Sequence, residues 1–149
     1  MIPRISHSEN TPQIVQSFLA KLRNSNFSGD IQHDYASRLV TATDNSIYQV
    51  LPQAVVFPKN YKEIQAVLKI ADQQQFRHSI KITPRGGGTG TNGQSLTEGI
   101  VLDCSRYMNR ILETNLKEGW VRVEPGVVLD QLNEHLAQKN VFLLLAKLL

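Results

Sequence analysis

The stretch Pro84-Arg85-Gly86-Gly87-Gly88-Thr89-Gly90-Thr91-Asn92-Gly93 decides how this chain is read. Five of its ten residues are glycine, more than half of the nine in the protein. Glycine admits φ > 0 and has no Cβ to hold a ligand away from the backbone. Successive exposed N–H groups in such a loop form a concavity for an anion. Ser79-Ile80-Lys81-Ile82-Thr83 reads as a strand leading in, and Ile100-Val101-Leu102-Asp103 as a strand leading out. A glycine-dense loop between buried strands has the form of a diphosphate cradle, to which Arg85 can add a fixed charge and a forked donor set.

Known phosphate loops narrow the choice. A P-loop carries Lys and then Ser or Thr after its last glycine. Here Gly93 is followed by Gln94-Ser95, which argues against it. G-x-G-x-x-G matches literally at Gly88, Gly90 and Gly93, but that device needs a helix to begin inside the loop and face the phosphates. Gln94-Ser95-Leu96-Thr97-Glu98-Gly99 is too short and broken to be one. The acidic residue expected about 20 positions on has no clear candidate. A glycine-rich hairpin that binds nothing is the remaining competitor, although a plain hairpin needs only one or two glycines.

Outward from the loop, 54–57 is a short apolar strand closed by Pro58. Asn60 and Glu63 have the spacing of a capping box, and Ile64, Val67, Leu68 and Ala71 give the following helix a buried face. Further strands are expected at 111–114 and 120–124. A helix is expected from 127 or 128 to 138, with Leu129, Leu132 and Leu136 inward and Asn140 at its end. Upstream, Thr11 as N-cap and Pro12 at the first helical position open a helix. Its apolar residues are Ile14, Val15, Phe18, Leu19 and Leu22, and it ends near residue 26. A second short helix is expected over 31–39, and loop over 41–49. The fold class is α+β, a mixed sheet with flanking helices.

These elements, in this order, resemble the FAD-linked oxidase superfamily of the p-cresol methylhydroxylase and vanillyl-alcohol oxidase type. The resemblance rests on Leu51–Pro58, the helix from Tyr61, the glycine loop, Ile100–Ser105 with Met108–Ile111, and Val121-Arg122-Val123-Glu124-Pro125-Gly126-Val127. Within the superfamily, Thr43-Asp44-Asn45-Ser46-Ile47-Tyr48 and the loop itself are most similar to flavoenzymes acting on D-2-hydroxy acids. The resemblance covers 44–140 and implies the first subdomain of an FAD-binding domain. It leaves 1–43 as an N-terminal helical extension and 141–149 as a non-matching apolar tail.

Carried over residue by residue, the likeness implies that Gly86, Gly87, Gly88, Thr89 and Gly90 meet the FAD diphosphate through main-chain N–H groups. Arg85 supplies charge, Thr91, Asn92 and Gly93 continue the wall, and Gly126 lets backbone approach the flavin or ribityl chain. Some members attach FAD covalently through a histidine near the end of the glycine run. Thr89 stands there in this chain, so the implied FAD is non-covalent. The implied parent reaction is hydride transfer to FAD from a small 2-hydroxy acid of the 2-hydroxyglutarate or lactate type. No catalytic residue is assigned, and the chain is expected to be an incomplete N-terminal piece, its tail explained by a shifted frame or early stop. The competing function is a nucleotide-binding or assembly module without flavin.

The length, 149 residues, suits one domain. A net charge of +3 with scattered cations gives no footprint for nucleic acid. Cys104 stands alone, which rules out an internal disulfide and any cysteine cluster, and reads as a packing residue. His7, His33, His78 and His135 have no metal-ligand spacing. Gly93-Gln94-Ser95-Leu96-Thr97 lacks the last glycine of a nucleophile elbow and the strand and helix it needs. Glu124 is read as capping the next helix or facing a cofactor. With no secretory leader and no run of 18 apolar residues, a cytoplasmic location is expected. The apolar tail Phe142-Leu143-Leu144-Leu145-Ala146-Lys147-Leu148-Leu149 is too short to span a membrane and invites self-association.

Overall fold

Two short runs, Ala54-Val55-Val56-Phe57 and Ile100-Val101-Leu102-Asp103, are buried at every position. Such runs are what parallel strands covered on both faces require. In the computed structural model, which describes residues 11–143, they form the centre of a four-stranded sheet. In chain order the elements are α1 (Gln13–Arg23), β1 (Asp30–Gln32), α2 (Tyr35–Val40), β2 (Ala54–Phe57), α3 (Tyr61–Ala71), β3 (Ile82–Arg85), β4 (Ile100–Asp103), β5 (Ile111–Asn115), β6 (Trp120–Val123) and α4 (Leu129–Ala137). The sheet order is β1-β2-β4-β3, with β1 antiparallel to β2 and the other pairings parallel. β5 and β6 form a separate antiparallel hairpin. The expected α+β class with a mixed sheet is borne out.

Alternate side chains divide the sheet between two cores. Ala54, Val56, Ile100 and Leu102 face Val15, Phe18, Leu19 and Leu22 of α1, Val67 and Ile70 of α3, and Phe76. Phe18 and Phe76 meet edge to face, with ring centroids 5.6 Å apart. Val55, Phe57 and Val101 form the opposite face, with Tyr107 packed on them and the Arg106 guanidinium 3.7 Å from the Phe57 ring centre. Each buried side chain of this size contributes about 1.5–3 kcal/mol, so α1 belongs to the same core as β2 and β4.

Several local expectations give way to tertiary contacts. The segment expected as helix over 31–39 divides into β1 and α2. Gly29 lets the chain come so close to the Phe57 carbonyl that a Cβ there would collide with it, which seats β1 on β2. Asp34 then caps α2 by accepting from the Ser37 N–H at 3.0 Å. Pro12, not Thr11, is the N-cap of α1, without a side-chain cap bond. In α3 the buried face is Glu63, Val67 and Ile70, while Leu68 is half exposed. Only half of the capping box forms. Asn60 Oδ1 accepts from the N–H groups of Lys62 and Glu63. The Glu63 carboxylate reaches past Asn60 to the Lys59 N–H (2.8 Å) and to Ser28. The strand entering the glycine loop starts three residues later than expected. Buried Phe76 anchors a turn whose carbonyl takes the N–H groups of Ser79 and Ile80. At the other end of the chain, Asn140 takes φ 57° and follows α4 as a left-handed C-terminal residue. The expectation for the apolar tail falls largely on 144–149, outside the described residues.

Candidate cofactor site

β3 and β4 are neighbours and run parallel. A two-residue turn joins only antiparallel strands, whereas parallel neighbours need a crossover of roughly a dozen residues or more, usually helical. Residues 86–99 make that crossover with no helix in it. The glycine-rich hairpin is therefore excluded by topology. The loop leaves the carboxyl end of the sheet, where open α/β sheets take their ligands. Pro84, which lacks an N–H, is tolerated in β3 because β3 is an edge strand.

The loop backbone has the properties of an anion cradle. Among the described residues, the N–H groups of Gly87, Gly88, Thr89, Gly90 and Thr91 find no acceptor within the protein, while the Asn92 N–H donates to Gln94 Oε1 at 3.1 Å. Gly88 and Gly93 take φ 65° and 75°, in the region that favours glycine. Beside Gly87 a Cβ would meet only the Thr89 methyl, at 3.6 Å, so that side of the loop is open. Beside Gly90 lies the Gln94 side chain, which a Cβ would displace. The arrangement fits a diphosphate, since five successive donors have no internal acceptor competing for them.

Arg85 is not where the sequence reading put it. It is the last residue of β3, in register with Asp103 of β4. Its guanidinium is turned inward, with Nε 4.0 Å from Asp103 Oδ2 and Nη1 donating to Ser95 Oγ at 3.3 Å. Both partners of the pair are nearly buried, at 11% and 8% side-chain exposure. The guanidinium also fills the space where a Cβ on Gly88 would sit. Asp103 in turn accepts from the Ser105 N–H and hydroxyl through Oδ1, at 2.8 and 2.6 Å.

Gly126 comes to the loop, but its missing side chain serves the protein itself. A Cβ at Gly126 would lie 2.6 Å from the Cys104 carbonyl oxygen and 2.7 Å from that of Met108, to which its N–H donates. The Pro125 carbonyl oxygen would be 3.2 Å from a Cβ on Gly86, so the 125–126 segment borders the start of the loop. Glu124 neither caps α4 nor faces the loop. Its buried carboxylate takes the Arg110 N–H (2.9 Å) and guanidinium (2.7 Å to Nη2). These bonds hold its pKa below the ordinary glutamate value. Cys104 is buried, as a packing residue would be, and burial, then the Asp103 charge, pushes its thiol pKa up.

The sequence reading missed the strap that holds the loop. Asp44, Asn45 and Tyr48 lie against it: Asp44 Oδ2 accepts from Ser95 Oγ at 3.2 Å, the Asn45 N–H donates to the Gly90 carbonyl at 3.1 Å, and the Tyr48 ring edge would be 3.1 Å from a Cβ on Gly93. The isolated bridge between Thr43 and Gln49 closes this strap. Residues 41–49 read as loop, and 43–48 entered only as part of the superfamily resemblance, with no role in the site. Among the described residues no group of histidine, cysteine or carboxylate side chains is placed to hold a metal, and no helix is long and apolar enough to cross a membrane.

A helix-free crossover with unpaired amides at the carboxyl end of parallel strands has the chemistry of an anion cradle. This chain belongs to the FAD binding domain family, whose model matches residues 52–147. It is 53% identical over 142 residues to the D-2-hydroxyglutarate dehydrogenase of Escherichia coli (strain K12), covering 95% of this chain and 14% of that protein. It is 35% identical over 89 residues to the mitochondrial D-lactate dehydrogenase (cytochrome) of Kluyveromyces lactis, covering 57% of this chain and 15% of that one. Among solved structures, p-cresol methylhydroxylase with substrate bound aligns with a TM-score of 0.61 at 20% identity, over 89% of this chain and 26% of the other. Alkyldihydroxyacetonephosphate synthase aligns at 0.68 and 18%, also over 89% and 26%. The superfamily resemblance and FAD as the family's cofactor are borne out. The chain spans about 14% of the length of the D-2-hydroxyglutarate dehydrogenases it matches first.

Proposed function

We propose that this chain holds the diphosphate of a non-covalently bound FAD and forms the cofactor-binding portion of a flavin-dependent oxidoreductase acting on a D-2-hydroxy acid of the 2-hydroxyglutarate or lactate type. One observation carries the cofactor reading: the amides of Gly87 to Thr91 lack internal acceptors in a loop that topology forbids from being a hairpin. The N–H groups of this run, with Gly86 at its start and Asn92 and Gly93 continuing the wall, would bind the diphosphate oxygens. Hydrogen bonds to a charged group are worth about 1.5–3 kcal/mol each, so a few suffice to fix the dinucleotide. Arg85 would act from beneath the loop, its charge shared with Asp103. Gly126 would act by letting the 104–108 turn close against the 125–126 segment. The flavin, when bound, supplies hydride acceptance, and the protein supplies orientation. The 2-hydroxy acid reading comes from the relatives' names, and a cytoplasmic location accompanies it.

Titration of the purified chain with FAD tests the proposal. A perturbed flavin absorbance band and quenched or enhanced flavin fluorescence are expected, saturating at one FAD per chain. A flavin spectrum left unchanged by excess protein would overturn the reading in favour of an assembly module without flavin.

A further inference from the structure

The glycine loop has neither a helix nor a ladder to fix its shape, so something else must hold its unpaired amides in place. We propose that Asp44, Ser95 and Arg85 form a positioning relay that props the loop in its receptive shape, with Asp44 as its outer anchor. The inference rests on the cofactor reading above. None of the three is a catalytic residue.

The hydrogen bonds form one continuous chain. Asp44 Oδ1 accepts from the Ser46 N–H at 2.8 Å, which fixes the carboxylate within its own turn. Its Oδ2 accepts from Ser95 Oγ at 3.2 Å, across 51 positions of sequence. The same Oγ accepts from Arg85 Nη1 at 3.3 Å. A hydroxyl has one proton to give and lone pairs to accept with, so the direction of the relay is set: Arg85 gives to Ser95, and Ser95 gives to Asp44. Ser95 is buried at 7% exposure, which shields this junction from competing water. Hydrogen bonding from Ser46, then Ser95, and the charge of Arg85 hold the Asp44 carboxyl below the ordinary aspartate value, so it is an anion at neutral pH.

The relay acts on the loop through the space it fills. The Arg85 guanidinium lies beside Gly88 where a side chain would stand, supporting the backbone at φ 65°. Its Nε faces Asp103 Oδ2 at 4.0 Å, so two carboxylates bracket one cation beneath the loop. The cation is committed to internal anions, and the upper face of the loop is left to neutral main-chain donors. A second tie runs beside the relay, from the Asn45 N–H to the Gly90 carbonyl at 3.1 Å. It turns that carbonyl toward the strap and away from an incoming anion.

The test uses the full chain and two readouts, one of which needs no ligand. Nitrogen-15 relaxation of the FAD-free protein is expected to give order parameters near 0.85 for Gly87 to Thr91 in the wild type, falling below about 0.6 in Asp44→Ala and in Ser95→Ala, with β4 and α3 unchanged. FAD titration is expected to show at least about a tenfold weaker Kd in both variants. Asp44→Asn keeps a single acceptor oxygen and sets its NH2 against the other donor, so it should restore only part of the order and the affinity. Order parameters that do not change in either alanine variant would overturn the relay, as would a loosened loop that binds FAD with unaltered affinity. A wild-type loop already below about 0.6 would overturn it as well. If the wild type fails to bind FAD but the loop loosens as expected, the cofactor reading falls and the prop stands. If FAD binds equally to wild type and variants with loop order unchanged, the prop falls and the cofactor reading stands.

Discussion

Gly87→Ala separates ligand contact from folding more cleanly than any other change in the loop. Gly87 has negative φ, and its built Cβ touches nothing closer than the Thr89 methyl at 3.6 Å. The fold therefore has room for the methyl group, and stability should stay within about 0.5 kcal/mol of wild type, as for an ordinary surface change. For a protein of this size that is a shift in Tm of about 2 °C or less. A diphosphate seated on the amides of Gly87 to Thr91 has no such room. The methyl group would hold its oxygens off at least one N–H. Losing one hydrogen bond to a charged group costs about 1.5–3 kcal/mol, or roughly 10- to 150-fold in Kd. Flavin fluorescence titration reads the affinity, and a thermal melt on the same sample confirms the fold. Gly87→Val should weaken binding further. If both variants melt like wild type and bind FAD with wild-type affinity, the phosphates do not lie on this segment.

Gly88→Ala should behave differently, because it adds a Cβ at φ 65° against the Arg85 guanidinium: about 1–2 kcal/mol of backbone strain should appear as a lower Tm even without FAD. Phe18→Ala removes one ring of the edge-to-face pair from the main core and should cost about 3–5 kcal/mol, seen as a lower urea midpoint at unchanged slope. Glu63→Gln keeps one acceptor oxygen and sets an NH2 against either the Lys59 N–H or the Ser28 donors, and should cost about 2 kcal/mol at neutral pH. Burial pushes the Glu63 carboxyl up, but the hydrogen bonds from Lys59 and Ser28 outweigh it and hold it below its ordinary value. The stabilisation from Glu63 is thus full above the unfolded value of about 4.3 and is lost as pH falls through the lower folded one. The wild type should lose more stability than Glu63→Gln as pH falls below about 4, and parallel pH profiles would refute this account of Glu63.

What could be read from sequence was what depends on neighbours along the chain. Ala54–Phe57 and Ile100–Asp103 were legible because 54–57 and 100–102 are unbroken apolar runs near turn residues, and both strands fall where expected. The glycine loop was legible because no local structure needs so many glycines. β1 was not, because three residues, Asp30-Ile31-Gln32, carry no period of their own and become a strand only when Gly29 admits the Phe57 carbonyl. Arg85 was read with the loop because its partner Asp103 lies in another strand, and register is invisible to a single segment. Glu63 was assigned to its own helix start, yet two of the three bonds to its carboxylate come from Ser28, 35 positions away. Asp44 entered only through the resemblance and took no role in the site, because its partner Ser95 lies 51 positions away.

The position of the loop between parallel neighbours explains why it must look outside the protein for partners. A helical crossover satisfies its own backbone by N–H to C=O bonds four residues apart. Residues 86–99 do not, and the few ties they make are to the strap, to Arg85 and Gln53, to Gln94 and Thr97 side chains and to one turn closing at Leu96. Backbone donors left unpaired in a dry place cost about as much as a lost hydrogen bond, so a loop of this kind persists only while water or a ligand takes its amides. Filling the glycines would not repair this, because added side chains bring no acceptor to Gly87–Thr91 and collide at Gly88 and Gly90. The loop is thus poorly suited to sealing the sheet edge and well suited to presenting donors. A polyanion with several oxygens in a row answers all of them together, whereas water must answer each one separately. The same reasoning gives the anion its preferred size: a single phosphate engages only part of a run of five donors, and a diphosphate spans it. Inorganic pyrophosphate should therefore compete with FAD for this chain at lower concentration than inorganic phosphate does at equal ionic strength. Equal competition by the two anions would mean that the run is not read as a unit.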